Sequence, residues 1–448
     1  MTAINKVYAR FTKQTSILPL VVFRIAFGIL MCFSQLRFMY KGWIEACYTT
    51  PKFHFTYHYF HWVVPFDPPM MYIIVGGSAL CAFLIAIGMF YRVAIFLFFI
   101  TFTYLELVEK AWYLNHYYFV SLVAFLLLWI PAHRNYSIDA LIYKKIRLHQ
   151  VPLWTIKILQ LQIAIVYIFG GIAKLKSDWL LAAQPLKIWL LARTDIPILG
   201  VLFHYSGTAY VFSWLAMLYD LSIPFLLWNK RYRLWAYSAV IVFHVLTYLL
   251  FNIGMFPWLM IASSLIFITP EEWKTIGEKL SISIKKIPVS TTTARYITHR
   301  STLPIIAIYI LFQITFPLRH MALTDTVLWT ENGLRFSWHV MIREKNGVVA
   351  FRIVDHDTQK KFTVYPSQYL SIIQEKQMSF QPDMIWQFAH FLKEEYQEQG
   401  ATNLSIYVDT KVALNGRASQ TFLDPNIDIL RITTIDEVYN HVLPMTDF

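Results

Sequence analysis

Charge is the scarcest commodity in this sequence. Only 15% of its 448 residues are Asp, Glu, Lys or Arg, while 57% are hydrophobic and 17% aromatic. A soluble domain carries roughly a quarter charged residues, so an ordinary soluble globule is excluded. Cysteine is nearly absent. Cys32, Cys47 and Cys81 are the only three, which rules out a disulfide framework, leaves one bridge open by count, and shows no metal-ligand spacing. There is no internal repeat, no low-complexity tract, and no nucleophile elbow, phosphate loop or metal motif. The net charge of +12 does not mark a nucleic-acid binder. Its Lys and Arg fall between apolar runs instead of forming a basic stripe with stacking aromatics. No cleavable leader is apparent: Lys6, Arg10 and Lys13 precede an apolar run long enough to remain in a membrane.

What is abundant is long apolar runs. They lie near 17–37, 70–90, 92–109, 116–131, 155–174, 208–228, 234–250, 252–269 and 302–318. The expected fold is a polytopic α-helical membrane protein of about nine transmembrane helices. Residues 1–320 would form the transmembrane domain and residues 321–448 an extracytoplasmic α+β domain. In the latter, 348–354 and 404–408 alternate as strands do, and 380–397 reads as an amphipathic helix started by Pro382 and Asp383. Residues 270–301 read as a basic inner loop with a surface helix.

Loop charge sets the expected orientation. Lys6, Arg10, Lys13, Arg92, Arg134, Lys144, Lys145, Arg147, Lys230, Arg231, Arg233 and the cluster from Lys274 to Arg300 fall on one side. The other side is poorer, holding Arg37, Lys41, Lys52, Lys187 and Arg193. The N-terminus is therefore expected in the cytoplasm and the C-terminal domain outside it. The outer loop 38–69 is aromatic-rich and reads as an interfacial belt. His54, His58 and His61 within it have helical spacing but no supporting carboxylate in the sequence nearby.

Ionisable residues inside apolar runs are costly and are functional candidates. Four groups qualify. Glu106, Glu109 and Lys110 lead into Asn115 and His116. Tyr167 precedes Lys174 and Asp178 at spacings of seven and four, which would put all three on one helical face. Asp220 stands alone in its run, and His244 lies in another, ahead of the Asn252 turn. A lysine such as Lys174 is either an anchor whose ammonium snorkels to the headgroups or, held among apolar groups beside histidines, an uncharged amine able to act as a base.

At these residues the chain resembles the vitamin K-dependent gamma-glutamyl carboxylase family, in its bacterial members of the horizontally transferred transmembrane domain type. The similarity runs through Val22-Phe23-Arg24-Ile25-Ala26-Phe27-Gly28, Trp112 with Asn115-His116, Tyr136-Ser137-Ile138-Asp139 and Val151-Pro152-Leu153-Trp154. It continues through Ala173-Lys174-Leu175 with Asp178-Trp179, and Phe243-His244 with Ile253-Gly254-Met255-Phe256. It ends with Asn332-Gly333-Leu334, Ser337-Trp338, Asp424-Pro425 and Asp428-Ile429. The resemblance implies that Lys174 is the base that deprotonates reduced vitamin K, expected here as menaquinol. It implies Asn115 and His116 as the active-site pair, and Tyr167, His244 and Met255 as cofactor-binding residues. CO2 and O2 would be co-substrates. A strong base formed from the hydroquinone and O2 takes a γ-proton from glutamate, the carbanion captures CO2, and the quinone leaves as its epoxide. An unidentified glutamate-containing protein, a quinone reductase that regenerates the cofactor, and the bacterial inner membrane follow as expected partners and location, with no metal and no nucleic acid.

The chain departs from animal members in three ways. Their Lys-Lys pair is Ala173-Lys174 here, the extramembrane part has no cysteine for their interdomain disulfide, and the chain stops soon after Asp428. Two other readings are a quinone epoxidase or redox protein that modifies no glutamate, and a non-catalytic scaffold in which Lys174 is only an anchor.

Overall fold

A computed structural model describes residues 3–279, 296, 298–323 and 326–446. Among the described residues the apolar runs form helices α1 (Leu18–Tyr40), α2 (Pro68–Ile87), α3 (Tyr91–Val108), α4 (Asn115–Trp129), α5 (Trp154–Ala173), α6 (Ser206–Trp228), α7 (Arg233–Leu250), α8 (Phe256–Ser264) and α9 (Thr302–Leu318). Six of these, α1 to α3 and α5 to α7, are long and apolar enough to cross a membrane. The expectation of nine such helices is therefore corrected to six. About 20 residues are needed to cross the hydrocarbon core, and α4 and α9 have 15 and 17. The run 252–269 is shortened at its start, where Gly254 adopts a φ of 61° and Pro257 fixes the first turn of α8. The basic segment 270–301 begins with a helix, Pro270–Lys279; most of the rest lies outside the described residues.

Helix α5 is the centre of the bundle. Its span is 72% buried, against 50% or less for the other spans, and neighbouring helices cover even Gln160, which donates to Ile266 O, and Gln162, which accepts from the Tyr309 hydroxyl. Phe23 and Phe27 of α1, Phe98 of α3, Phe119 of α4 and Leu159 and Ile163 of α5 belong to one core.

The remaining residues form an antiparallel sheet of β1 (Lys345–Asp355), β2 (Lys361–Val364), β3 (Leu404–Leu414) and β4 (Gln420–Thr421), in the order β2-β1-β3-β4. Phe351 of β1 lies opposite Val408 of β3 and Val364 of β2. The inward-facing side chains meet helix α10 (Pro382–Glu398), where the Phe388 ring lies 5.1 Å from that of Phe351. The period-2 and period-3.6 patterns in this part of the sequence thus meet as one sheet and one covering helix.

Polar contacts join the helices to this sheet-bearing part. Asp383 at the start of α10 accepts from Lys110 at 2.8 Å and Arg335 at 2.7 Å. Gln374 donates to Glu109 at 2.7 Å, and Glu109 also lies 3.1 Å from His54 Nδ1. His54 therefore has a carboxylate partner 55 residues away that local spacing did not reveal. The three cysteines are free thiols.

Candidate active site

Lys174 caps the end of α5, its amide donating to Gly171 O at 3.0 Å. Its side chain turns back along the helix. Nζ donates to Gly170 O at 3.1 Å and to Asp220 Oδ2 of α6 at 2.7 Å. Lys174 is 5% exposed and Asp220 8%. Glycine makes this meeting feasible, since a Cβ on Gly171 would lie 2.7 Å from the Leu221 side chain and 3.1 Å from its backbone nitrogen. Only a hydrogen at that position lets α5 and α6 approach closely enough for a lysine and an aspartate on different helices to pair. The Trp179 ring lies 5.4 Å from the ammonium, and its indole N–H donates to Ser213 O of α6 at 2.8 Å, pinning the loop after Lys174.

Tyr167, two turns back on α5, also faces this space. Its hydroxyl lies 3.0 Å from His244 Nε2 of α7. His244 Nδ1 is buried without a hydrogen-bond partner. Tyr167, Lys174, Asp220 and His244 line one cavity of about 380 Å³ whose other walls include Val166, Phe212, Leu215, Phe243 and Phe251. Asp178 does not share this face. The helix stops at Ala173, and Asp178 sits in a separate turn, Ser177–Leu180. There it accepts two bonds from Arg417, both at 2.7 Å, and one from Asn415 at 2.8 Å. Burial alone would raise the Asp178 carboxyl; Arg417 and Asn415 outweigh it and hold the group below its ordinary range.

Asn115 and His116 line a second chamber, of about 800 Å³. The two chambers share Phe251, Ile253, Phe256, Val340 and Met341 as wall residues. Phe256 is the partition: its ring centroid lies 5.9 Å from that of His116 and 5.8 Å from that of His244. The two basic neighbours expected beside Lys174 are thus not its direct partners, because an anion from α6 takes that place. Met255, grouped by resemblance with Tyr167 and His244, lines the second chamber instead.

The sheet-bearing part reaches into this wall. The Phe336 amide donates to Tyr113 Oη at 2.7 Å, and the same hydroxyl donates to Asn115 Oδ1 at 3.0 Å. This chain fixes which end of the Asn115 amide is occupied and leaves its NH2 group available. Trp338 is fully buried in the helical core, stacked 5.1 Å from Tyr118. Phe336, Trp338 and Met341 all adopt positive φ, 62°, 58° and 52°. Such strain at non-glycine residues persists only where the surroundings enforce it and clusters at functional sites.

Residues 12–273 match the HTTM domain, and residues 298–447 match the lumenal domain of vitamin K-dependent gamma-carboxylase. The chain belongs to the vitamin K-dependent gamma-carboxylase family. No solved structure matches it. Within this family member, sequence reasoning singled out Lys174, Tyr167 and His244, which meet in one cavity. Asp220 was visible as a lone acid in an apolar run, but its partner, 46 residues away, was not. Arg37 and Trp112 of the second chamber were read only as a loop charge and a fragment of the resemblance.

Proposed function

We propose that this protein is an integral-membrane enzyme that couples O2-dependent epoxidation of a reduced naphthoquinone, expected to be menaquinol, to carboxylation of a glutamate with CO2. The observation that carries this reading is a buried lysine–aspartate pair in an apolar cavity, one aromatic ring away from a chamber holding Asn115 and His116. The first cavity suits the quinone. Its wall is aliphatic and aromatic, and His244 Nδ1 is a buried polar atom in need of a partner. Lys174, Asp220, Tyr167 and His244 would hold the ring oxygens. When bound, the reduced quinone supplies, with O2, the strong base that takes a γ-proton from glutamate.

The chain's own residues do the rest. Lys174 and Asp220 act as one unit. In the pair's uncharged form the shared proton sits on the Asp220 carboxyl and Lys174 is a free amine; that amine accepts the hydroxyl proton, leaving the pair with one positive charge at the cavity wall. The Asn115 amide and His116 position the glutamate side chain across the Phe256 partition. The apolar wall keeps out the water that would quench a carbanion.

In this reading the helical bundle lies in the bacterial inner membrane. Residues 1–320 form the transmembrane unit with a cytoplasmic N-terminus, and residues 321–448 the extracytoplasmic unit. The excess of Lys and Arg on one set of loops supports this orientation. A quinone reductase regenerates the cofactor, and the protein substrate is unidentified.

The test is menaquinol epoxidation by the purified protein with a glutamate peptide and labelled CO2. Lys174→Ala is expected to lose both activities, by about 10²–10⁴-fold. Unchanged epoxidation in that variant removes Lys174 as the base. Epoxidation without label in the peptide removes the carboxylase reading and leaves a quinone epoxidase.

A further inference from the structure

The second chamber has a chemical character that its two expected residues do not explain. Arg37, in the last turn of α1, is the one charged side chain lining it among the described residues. Among the described residues Arg37 enters no ion pair and no side-chain hydrogen bond; its guanidinium rests 5.0 Å from the Trp43 ring centroid. Other arginines near this end of the bundle are occupied: Arg193 donates to Leu249 O and Leu250 O, and Arg335 to Asp383. Trp112 also lines the chamber, and its indole nitrogen is buried without a partner. Asn115 contributes an NH2 group whose oxygen end is already taken by Tyr113. Among the described residues no Asp or Glu lines this space.

A guanidinium, an unsatisfied indole N–H and an amide NH2 around one chamber are donors without an acceptor among the described residues. The buried Trp112 N–H left unmatched is costly, and the half-buried Arg37 guanidinium matches a carboxylate in geometry and charge. We propose that Arg37, Trp112 and Asn115 form a receptor for the carboxylate of an acidic peptide side chain. This rests on the reading that glutamate is the group modified, and it assigns the residues that select glutamate over glutamine. Arg37 supplies the charge, and Trp112 and Asn115 fix the orientation.

The test is direct binding, which needs no turnover. A blocked tetrapeptide with two central glutamates and its glutamine counterpart are titrated against the full-length protein in nanodiscs. Wild type is expected to prefer the glutamate peptide by about 10- to 100-fold, the value of a charge-assisted hydrogen bond. Arg37→Gln is expected to erase that preference, and Arg37→Lys to keep part of it. With turnover, Arg37→Gln raises KM for the glutamate peptide while the KM for quinol stays constant. Equal binding of the two peptides by wild type overturns the receptor. So does a glutamate preference that survives Arg37→Gln in protein with wild-type thermal stability, the result expected of a lipid-facing anchor. An Arg37-dependent preference without any quinone turnover upholds the receptor and overturns the carboxylase chemistry.

Discussion

The molecule holds two buried lysine–aspartate pairs of nearly the same length. Lys174 and Asp220 are 2.7 Å apart between α5 and α6, and Lys110 and Asp383 are 2.8 Å apart where the helices meet the sheet-bearing part. Both are almost fully removed from solvent. They differ in what surrounds them. Asp383 takes a second cation, Arg335, at 2.7 Å, so its charge is matched by two cations that come from different parts of the fold. The Lys174–Asp220 pair has no other ionic partner among the described residues and lines a cavity. A buried ion pair is thus not in itself a sign of chemistry. Saturation makes the first pair a clasp, and an open face makes the second one a candidate for proton transfer.

The comparison can be broken at either pair. The largest effect is expected at the open one. Asp220→Asn keeps an oxygen acceptor for Lys174 but removes the charge that lets the pair take a proton as a unit. Epoxidation should fall by about 10²–10⁴-fold, while quinol still binds. A rate within threefold of wild type would show that Lys174 works without Asp220.

At the clasp, Asp383→Asn leaves Lys110 and Arg335 buried with no anion. That should destabilise the protein by about 3–5 kcal/mol, read by thermal unfolding, with the rate per folded molecule unchanged. A slower folded enzyme of normal stability would contradict the division drawn between the pairs. The same carboxylate governs acid stability. Burial alone would raise its pKa, but Arg335 and Lys110 together hold it well below the ordinary carboxylate range. A depressed folded value means the stabilisation is fully present above about pH 4, the unfolded carboxylate range. It is lost as pH falls through the lower folded value. Wild type should therefore weaken progressively on acidification, and Asp383→Asn should show a smaller acid-dependent loss.

How much of this could be read from residues alone follows from the range of each interaction. The helical runs are local patterns, and the starts and ends of α1, α5 and α6 follow from hydropathy. The count of full spans did not, because Gly254 and Pro257 shorten one run that hydropathy alone treats as continuous, and α4 and α9 are only 15 and 17 residues long. Lys174 was legible as an ionisable residue at the end of an apolar helix. Its partner was not, because pairing with Asp220 depends on the close approach at Gly171, a property of two helices together. Asp178 was placed on the face of Lys174 by extending helical periodicity past a helix end that only the structure shows. Arg37 was legible as a loop charge, but its lack of a partner is visible only in three dimensions.

The smallest predicted effect sharpens the assignment of the base most. Lys176 lies two residues after Lys174, half-buried, its ammonium in no ion pair or hydrogen bond among the described residues, and beside a different cavity with His320 and His339. It has the same side chain at nearly the same height, but no carboxylate 2.7 Å away and no share in the cavity of Tyr167 and His244. Lys176→Ala should alter stability by about 0.5 kcal/mol or less and leave epoxidation and carboxylation at wild-type rates. If it instead reduced turnover tenfold with folding intact, position along the helix end and not pairing with Asp220 would be what makes a lysine here reactive, and the distinction between open and saturated pairs would lose its force.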